Sequence, residues 1–425
     1  MTSKPRIGPM LRLVLGVGRI LSPFARPVLK RRLAKGKEDP DRWLEKLGQA
    51  SLPRPDGPLV WLHGVGVGEV MALRGLIESL AAARPDLQFL VTSSARSSGE
   101  VFANNLPAKT RHQYLPLDLP KPVAAFLDHW KPDLAVWSDQ EIWPRLAVTS
   151  ARRAIPQAYI AARITEKSAK AKARFGAAYG DLYRLLDLRH AQDEDTATHL
   201  RELMGDDSKV QVTGSLKAAA AALAFDPDVL ASFDAINAKR RIWLLASSHE
   251  ADELAALEAH HFIRNADPSA LLIIAPRDIQ RAGEIEHAAK WFNMPAKRRS
   301  LDAHPTAETA VYIADTFGEL GTWYRLASAA LIGGTFDSTE GHNPWEAVAL
   351  ECAVLHGSHT RNFQDDYVKL QQANASRLVT SPHEISRALA DPNFSDQIAR
   401  ATAVRDQDAQ GLGKITADLI DLLKV

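Results

Sequence analysis

The segment Trp61–Val70, WLHGVGVGEV, places glycines at 64, 66 and 68 and a glutamate at 69. It follows the apolar run PLVWLHG and precedes the helix-like run EVMALRGLIESLAAA. It therefore reads as strand, glycine loop and helix, the opening unit of an α/β domain. A dinucleotide-binding loop, G-x-G-x-x-G, needs its third glycine at position 69. Glu69 stands there instead, and the next strand, LQFLVTSS, ends without an acid to hold a ribose. These two departures argue against a nicotinamide dinucleotide site. The loop delivers a carboxylate to a helix start. First-turn N–H groups favour its ionised form, whereas burial in a cleft would raise its pKa. Such an acid serves either its own helix or a reaction.

Outward from this unit the alternation continues. DLAVWSDQ, IPQAYIAA, LRHAQDED and VQVTGSLK read as strands separated by helices. After an alanine-rich connector, Ala218 to Lys239, a second series begins at RRIWLLASS and runs through ALLIIAPRD, AVYIADT, ALIGGTF, ECAVLHGS and SRLVTS. Strands alternating with helices imply parallel sheets covered on both faces. The fold class is α/β, with two Rossmann-like domains and a cleft between them. The expected division is a basic arm over residues 1–50, a first domain over 51–225 and a second over 226–425. In such sheets ligands bind at the carboxyl ends of the strands.

Several junctions carry candidate chemistry. SDQEIWP, Ser138 to Pro144, puts Asp139 and Glu141 at a strand end, where paired acids serve turn chemistry or acid–base work. LASSHEADE holds Ser247 and Glu250 in the S-x-x-E pattern of a capping box, and the same helix start offers N–H groups to an anion. His260 and His261 lack a set of nearby ligands to complete a zinc site. Arg277, in APRDIQR, follows a buried strand, where a guanidinium can grip a phosphate. ADTFGELGTWY is another strand-to-helix junction, with Gly318 and Glu319. In LIGGTFDSTEGHNPWEAVALE, Asn343, Pro344 and Glu346 supply N-cap, N1 and N3 of a helix start. The glycine-rich approach and a histidine beside the cap are not needed for that grammar; a nucleotide would explain them.

Composition narrows the class. The 425 residues are 46% hydrophobic and 24% charged, ordinary for a globular chain with a sizeable core. One cysteine, Cys352, excludes an internal disulfide framework and a multi-cysteine metal site. Residues 1–37 hold ten Lys or Arg and no acid against a whole-chain net charge of +1, which leaves the remainder at −9. This is a basic arm on a mildly acidic body. Within it, MLRLVLGVGRILSPF has Arg12 and Arg19 on one helix face, and Pro23 and Pro27 are expected to end the helix. The apolar run is shorter and more charged than the roughly 20 apolar residues of a spanning helix. It reads as an interfacial helix, or as a packed terminal helix with a solvated basic face. No cleavable secretory signal is expected.

Taken in order, GKEDPDRWLEKLG, HGVGVGEV, EIWP, GSLK, ASSHEADE, APR, DTFGELGTWY, GGTF, GHNPWE and GSHTRNF resemble the Kdo transferases. These are inverting GT-B glycosyltransferases that move 3-deoxy-D-manno-octulosonic acid (Kdo) from CMP-Kdo to a lipid A precursor, lipid IVA, in lipopolysaccharide core biosynthesis. The resemblance covers nearly the whole chain. It implies an acceptor-binding first domain and a CMP-sugar-binding second domain. Glu69 would be the general base, and Glu141 and Lys217 would stabilise the transition state. Pro276 and Arg277, Phe317, Gly318 and Glu319, and Asn343, Pro344, Trp345 and Glu346 would form the CMP pocket. It implies no cofactor or metal beyond the donor substrate and no nucleic-acid partner. The arm would hold the enzyme, peripherally or by an N-terminal anchor, on the cytoplasmic face of the inner membrane. The chain departs from the family's pattern at Gly66, where a serine is usual, at Asp278 in place of histidine and at Glu340 in place of glycine. The last two would add negative charge near an anionic donor. The alternatives are a divergent glycosyltransferase using another activated sugar or lipid acceptor, and a non-catalytic lipid-binding relative.

Overall fold

A computed structural model describes residues 7–424 apart from 104–105, 206–208, 219–221, 238–239, 302–303 and 391–392. The start of the basic arm, residues 1–6, and parts of the expected connector therefore lie outside the described residues. The chain forms two compact units, Met1–Ala220 with Gln407–Val425, and Ala221–Asp406. This differs at the C-terminus from the expected division at 226–425.

The first unit holds strands β1 (Leu59–His63), β2 (Gln88–Ser93), β3 (Thr110–Tyr114), β4 (Leu134–Ser138), β5 (Gln157–Ala162), β6 (Leu188–Ala191) and β7 (Gln211–Val212). They form one parallel sheet in the order β3-β2-β1-β4-β5-β6-β7. Every residue of β1, β4 and β5 is buried. This is why they read as continuous apolar runs and not as alternation. One face packs Trp61, Phe126, Trp137 and Tyr159 under the helices Pro120–Trp130 and Pro144–Arg152. The other packs Val60, Leu62 and Val136 under the helix Val67–Ala83. Between β5 and β6 the chain forms two helices, Glu166–Ala173 and Ala178–Arg184, separated at Gly176, whose φ is +56°.

The second unit holds β8 (Ile242–Ser248), β9 (Leu271–Pro276), β10 (Ala296–Arg298), β11 (Val311–Ile313), β12 (Ala329–Ile332), β13 (Ala353–His356) and β14 (Ser376–Leu378). They form a second parallel sheet, in the order β10-β11-β9-β8-β12-β13-β14. A 29-residue helix, Ser395–Leu423, closes the chain. Gln397 near its start donates to the Val354 carbonyl at 2.9 Å. Further on, Ile415 and Leu419 join the Val60 and Leu62 core of the first unit, and Thr416 meets Ser79 at 2.9 Å.

The arm forms two helices, Pro9–Leu21 and Ala25–Ala34, with a 3-10 turn at Ser22–Phe24 between them. Pro23 ends the first, as expected. Pro27 does not end a helix. It lies in the first turn of the second, where its missing N–H costs nothing. Ile7 and Leu11 pack on Val148 and Ala178, and the Gly8 N–H donates to Asp181 at 2.8 Å.

Asp252 shows what fixes the second unit's loops. It is buried, and it accepts N–H bonds from His249 (3.0 Å), Gly334 (2.7 Å) and Phe336 (3.2 Å). It thereby ties the end of β8 to the loop after β12. Asp252→Ala leaves three largely buried donors without that acceptor, and is expected to lower unfolding stability by about 2–3 kcal/mol. Denaturant melts of this variant beside Asp252→Asn test it; an unchanged midpoint would remove Asp252 from this role.

Candidate functional site

In the first sheet the strand order reverses between β1 and β4, and in the second between β8 and β12. Loops leaving the carboxyl ends at such a reversal diverge to opposite faces and open a crevice. The sequence candidates fall at these points: Glu69 after β1, Glu141 after β4, the LASSHEADE helix start after β8, and Asn343–Glu346 beyond β12.

At the first crevice, Gly66 is extended and the helix begins at Val67, so Glu69 is its third residue. One carboxylate oxygen accepts the Val65 N–H at 2.7 Å. Glu69 lines a small cleft with Ser138, Asp139, Gln192, Ser215 and Lys217. Its pKa is raised to about 7. Burial is the main cause and the Asp139 charge adds to it; the Val65 N–H and Lys217 oppose, and Glu141 raises it further. Burial thus outweighs the Val65 N–H and Lys217, the balance that a base working near neutrality requires. Among the described residues, nothing beyond its chain neighbours and its own helix lies within 4 Å of where a Cβ on Gly66 or Gly68 would sit, so packing does not demand glycine there.

Glu69, Glu141 and Lys217 are therefore brought into one electrostatic neighbourhood. Sequence reasoning gave Asp139 no specific role, yet it is Glu69's strongest charged influence. Asp139 is left-handed, with φ +60°. Its carbonyl accepts both the Tyr159 hydroxyl (2.7 Å) and the Arg163 N–H (2.9 Å), which holds the strained peptide in place. Lys172 was missed altogether. Partial burial raises the pKa of Glu141, and Lys172 opposes that rise. Lys172 lies in the run TEKSAKAKA, where its charge is one of several alike.

At the second crevice, Ser247 has φ +55°, and the β8–β9 register shifts between Ala246 and Ser248. This bulge carries the strand past the position where a Ser247–Glu250 capping box was expected. The helix Glu250–Ala266 is capped at His249, whose N–H meets Asp252. Asp252 already holds that start, and Glu250 and Glu253 add acids to its first turn, which disfavours an anion there. Gly333 is required by close approach: a Cβ on it would lie 2.3 Å from the Ser247 carbonyl oxygen. His249 and His342 stack nearly parallel, their Nε2 atoms 2.9 Å apart. Burial, then the His249 and Arg277 charges, lower the His342 pKa to about 4.

Arg277 leaves β9 exposed and influences both His342 and Glu346. Burial lifts Glu346 to about 7, opposed by Arg277 and by a hydrogen bond with Asn343. Asn343 also accepts the Trp345 N–H at 3.1 Å. The helix begins at Trp345 with Pro344 as its N-cap, one residue later than the sequence implied, and this single turn, Trp345–Val348, leaves little macrodipole for a phosphate. Trp345 is buried with its indole N–H on Asp366 at 2.8 Å, and Pro344 is buried. Both support the loop from below. Pro276 is the buried last residue of β9. Phe317 is 77% exposed and Gly318 has φ +87°. Glu319 is engaged by Arg299 at 2.7 Å. Among the pocket candidates, the structure thus joins Arg277, Asn343 and Glu346 most directly.

The two expected added charges are both occupied. Asp278 caps a turn by accepting the Gln280 N–H at 3.0 Å. Glu340 pairs with Arg361 at 3.0 Å and adopts φ +67°, a conformation suited to the glycine of the family pattern. Among the described residues no group of three or more His, Cys, Asp or Glu is placed to hold a metal ion. His260 accepts the Trp243 indole N–H on Nδ1 and meets the Ala310 carbonyl through Nε2, a structural arrangement.

Comparison with known proteins identifies the family. The family description 3-deoxy-D-manno-octulosonic-acid transferase (kdotransferase) matches residues 41–220. A probable mitochondrial 3-deoxy-D-manno-octulosonic acid transferase of Arabidopsis thaliana is 31% identical over 398 residues, 90% of this chain and 88% of the relative. A 3-deoxy-D-manno-octulosonic acid transferase of Haemophilus influenzae is 29% identical, covering 79% of this chain and 78% of the other. Acinetobacter baumannii MurG aligns at a TM-score of 0.51 with 9% identity, covering 85% of this chain and 99% of that one, a likeness of fold. The fold is GT-B.

The charge balance around Glu69 is directly testable. Asp139→Asn removes a charge that raises the Glu69 pKa and should lower it. Lys217→Met removes a charge that lowers it and should raise it. Carboxyl NMR titration of Glu69 reads both; shifts of the same sign in the two variants would contradict the arrangement.

Proposed function

The chain belongs to the 3-deoxy-D-manno-octulosonic acid transferase family and is a glycosyltransferase, and from that premise we propose that it transfers Kdo from CMP-Kdo to a lipid A precursor, lipid IVA, in lipopolysaccharide core biosynthesis. The observation that carries the reading is Glu69, a carboxyl raised to about 7 at the strand-order reversal of the first sheet, with Lys217, Asp139 and Glu141 around it. The deprotonated carboxylate takes the proton of the acceptor hydroxyl as that oxygen bonds to the anomeric carbon of the sugar. The bond from that carbon to the phosphate oxygen breaks, and its electron pair leaves with CMP. Attack opposite the leaving group inverts the centre. A base near pKa 7 matches both requirements of the step, being about half ionised near neutral pH and still basic enough to accept the proton.

In this reading Lys217 holds Glu69 ionised before the step, and Glu141 and Lys217 balance charge as the anomeric carbon becomes oxocarbenium-like. Arg277 supplies the second unit's cation for the departing phosphate. Asn343 and Glu346 supply hydrogen-bonding groups for the nucleotide's hydroxyls. Pro276, Phe317, Gly318 and Glu319 complete the pocket, with Pro344 and Trp345 as its buried support. The donor is a substrate and the reading requires no further cofactor.

The arm supports placement on the cytoplasmic face of the inner membrane. No helix among the described residues is long and apolar enough to cross a membrane. The first arm helix packs its inner face on the body, yet Met10, Leu13, Val14, Val17, Ile20 and Leu21 lie exposed, and Phe24 and Val28 extend the set. Arg12, Arg19, Arg26, Lys30 and Arg31 are exposed beside them. Apolar side chains with flanking cations fit an anionic lipid interface.

Purified full-length protein with CMP-Kdo and lipid A precursor in detergent should release CMP and give a lipid heavier by one or more Kdo units. Glu69→Gln should lower kcat by about 10²–10⁴-fold with CMP affinity retained, and Arg277→Gln should weaken CMP binding about tenfold. CMP binding without any product would point to another sugar or acceptor. For the arm, Leu13→Glu with Ile20→Glu should reduce sedimentation with anionic vesicles about tenfold or more. Undiminished sedimentation would move the membrane contact elsewhere.

A further inference from the structure

The first unit contains a cavity of about 500 Å³ that the reaction scheme does not use. Its walls are Leu21, Phe24, Val28 and Leu29 of the arm, and Leu115, Leu117, Leu119 and Trp143 of the body. Few polar residues reach it, and they are already engaged. Glu38 is buried and holds both Lys46, at 2.5 Å, and Arg32, and Lys46 also donates to the Ser94 carbonyl at 3.0 Å. A space whose charges are paired internally asks for an apolar occupant.

Two further observations identify which one. Leu21, Phe24 and Val28 belong both to the cavity wall and to the exposed apolar set of the arm, at 53%, 61% and 54% exposure. A hydrocarbon chain on the lipid-facing side therefore reaches the cavity along apolar surface throughout. On the body side, Trp143 follows Glu141 by two residues, about 7 Å of chain at most. The Trp143 side chain forms part of the cavity wall.

We propose that this cavity receives one fatty acyl chain of the lipid acceptor, packed against the Trp143 side chain. The proposal rests on the reading of the chain as a transferase to a lipid, and it adds where that lipid is gripped. The arm then does more than attach to a surface. It forms one wall of the site that presents the acceptor, and Trp143 links chain recognition to the loop carrying Glu141.

The test uses full-length protein and two readouts. First, lipid acceptor brominated along its acyl chains is titrated in detergent while tryptophan fluorescence is followed. Bromine should quench a component that is absent in Trp143→Phe, and Ala25→Phe, which fills the cavity from the arm wall, should abolish that quenching. Second, transfer is compared between the acylated acceptor and the same acceptor with its acyl chains removed. Wild type should favour the acylated form in kcat/KM, and Ala25→Phe should reduce that preference about tenfold or more while leaving the rate on the deacylated form unchanged. Quenching that persists in Trp143→Phe, or a preference undiminished in Ala25→Phe, overturns the proposal. Transfer to neither acceptor by wild type would overturn the transferase reading instead, and the quenching alone would then decide the cavity.

Discussion

A strand buried on both faces of a parallel sheet can reach its neighbour only by crossing over one face. Every carboxyl end therefore opens on the same edge, and every functional loop starts there. Both sheets of this chain obey that constraint, with seven strands each. Where the strand order reverses, consecutive crossovers go to opposite faces, and the crevice between them is the natural place for groups that must meet a ligand. Glu69 and Glu141 belong to two loops flanking one reversal, and His249 and His342 to two flanking the other. Their separation of tens of residues in sequence is undone by a register that the apolar strands alone determine.

Carboxylates at these edges divide by what surrounds them. Asp252 accepts three backbone N–H groups and is spent on holding loops. Glu69 accepts one and is otherwise left in a partly buried, like-charged setting. Raising its pKa to about 7 has a cost. The unfolded chain ionises near the ordinary glutamate value, so stability present below that value falls as pH rises toward 7. The left-handed Asp139 and the bulged β8 at Ser247 are further local strains at the same edges. Stability is given up where chemistry is needed and recovered in the strands, all of whose residues in β1, β4, β5 and β9 are buried.

Much of this was legible in the sequence because both signals are local. Continuous apolar runs such as DLAVWS and LLIIAP mark strands covered on two faces, and glycine or cap residues mark the junctions. What was not legible depends on distant partners. The edge strand β10 reads AKR and carries no apolar signal. The bulge at Ser247 moved a helix cap by two residues, because pairing with β9 decides where β8 ends. Lys172 is one of several lysines in TEKSAKAKA, and only the fold brings it near Glu141. Ile415 and Leu419 are apolar positions of a helix whose partners, Val60 and Leu62, lie some 350 residues earlier. Asp139 was visible as a turn acid; its influence on Glu69 required the adjacency of β1 and β4.

The arm shows the same division in a surface element. One side of its first helix is accounted for by the body, through Ile7, Leu11 and the Gly8 bond to Asp181. The opposite side repeats apolar residues at helical spacing with nothing from the described chain to cover them. Exposing that much hydrocarbon to water is unfavourable by about 25 cal/mol per Å², whereas a lipid surface removes the penalty, and the flanking arginines add attraction to anionic head groups. The segment GKEDPDRWLEKLG explains how such an element stays attached. Buried Glu38 and Glu45 accept Arg32, Lys46 and Arg42, and Glu45 also takes the Tyr114 N–H at 2.7 Å, at the carboxyl end of β3. The arm is thus fastened at its far end to the carboxyl-end edge of the first sheet, so the orientation of its apolar surface is set by the same sheet that positions Glu69.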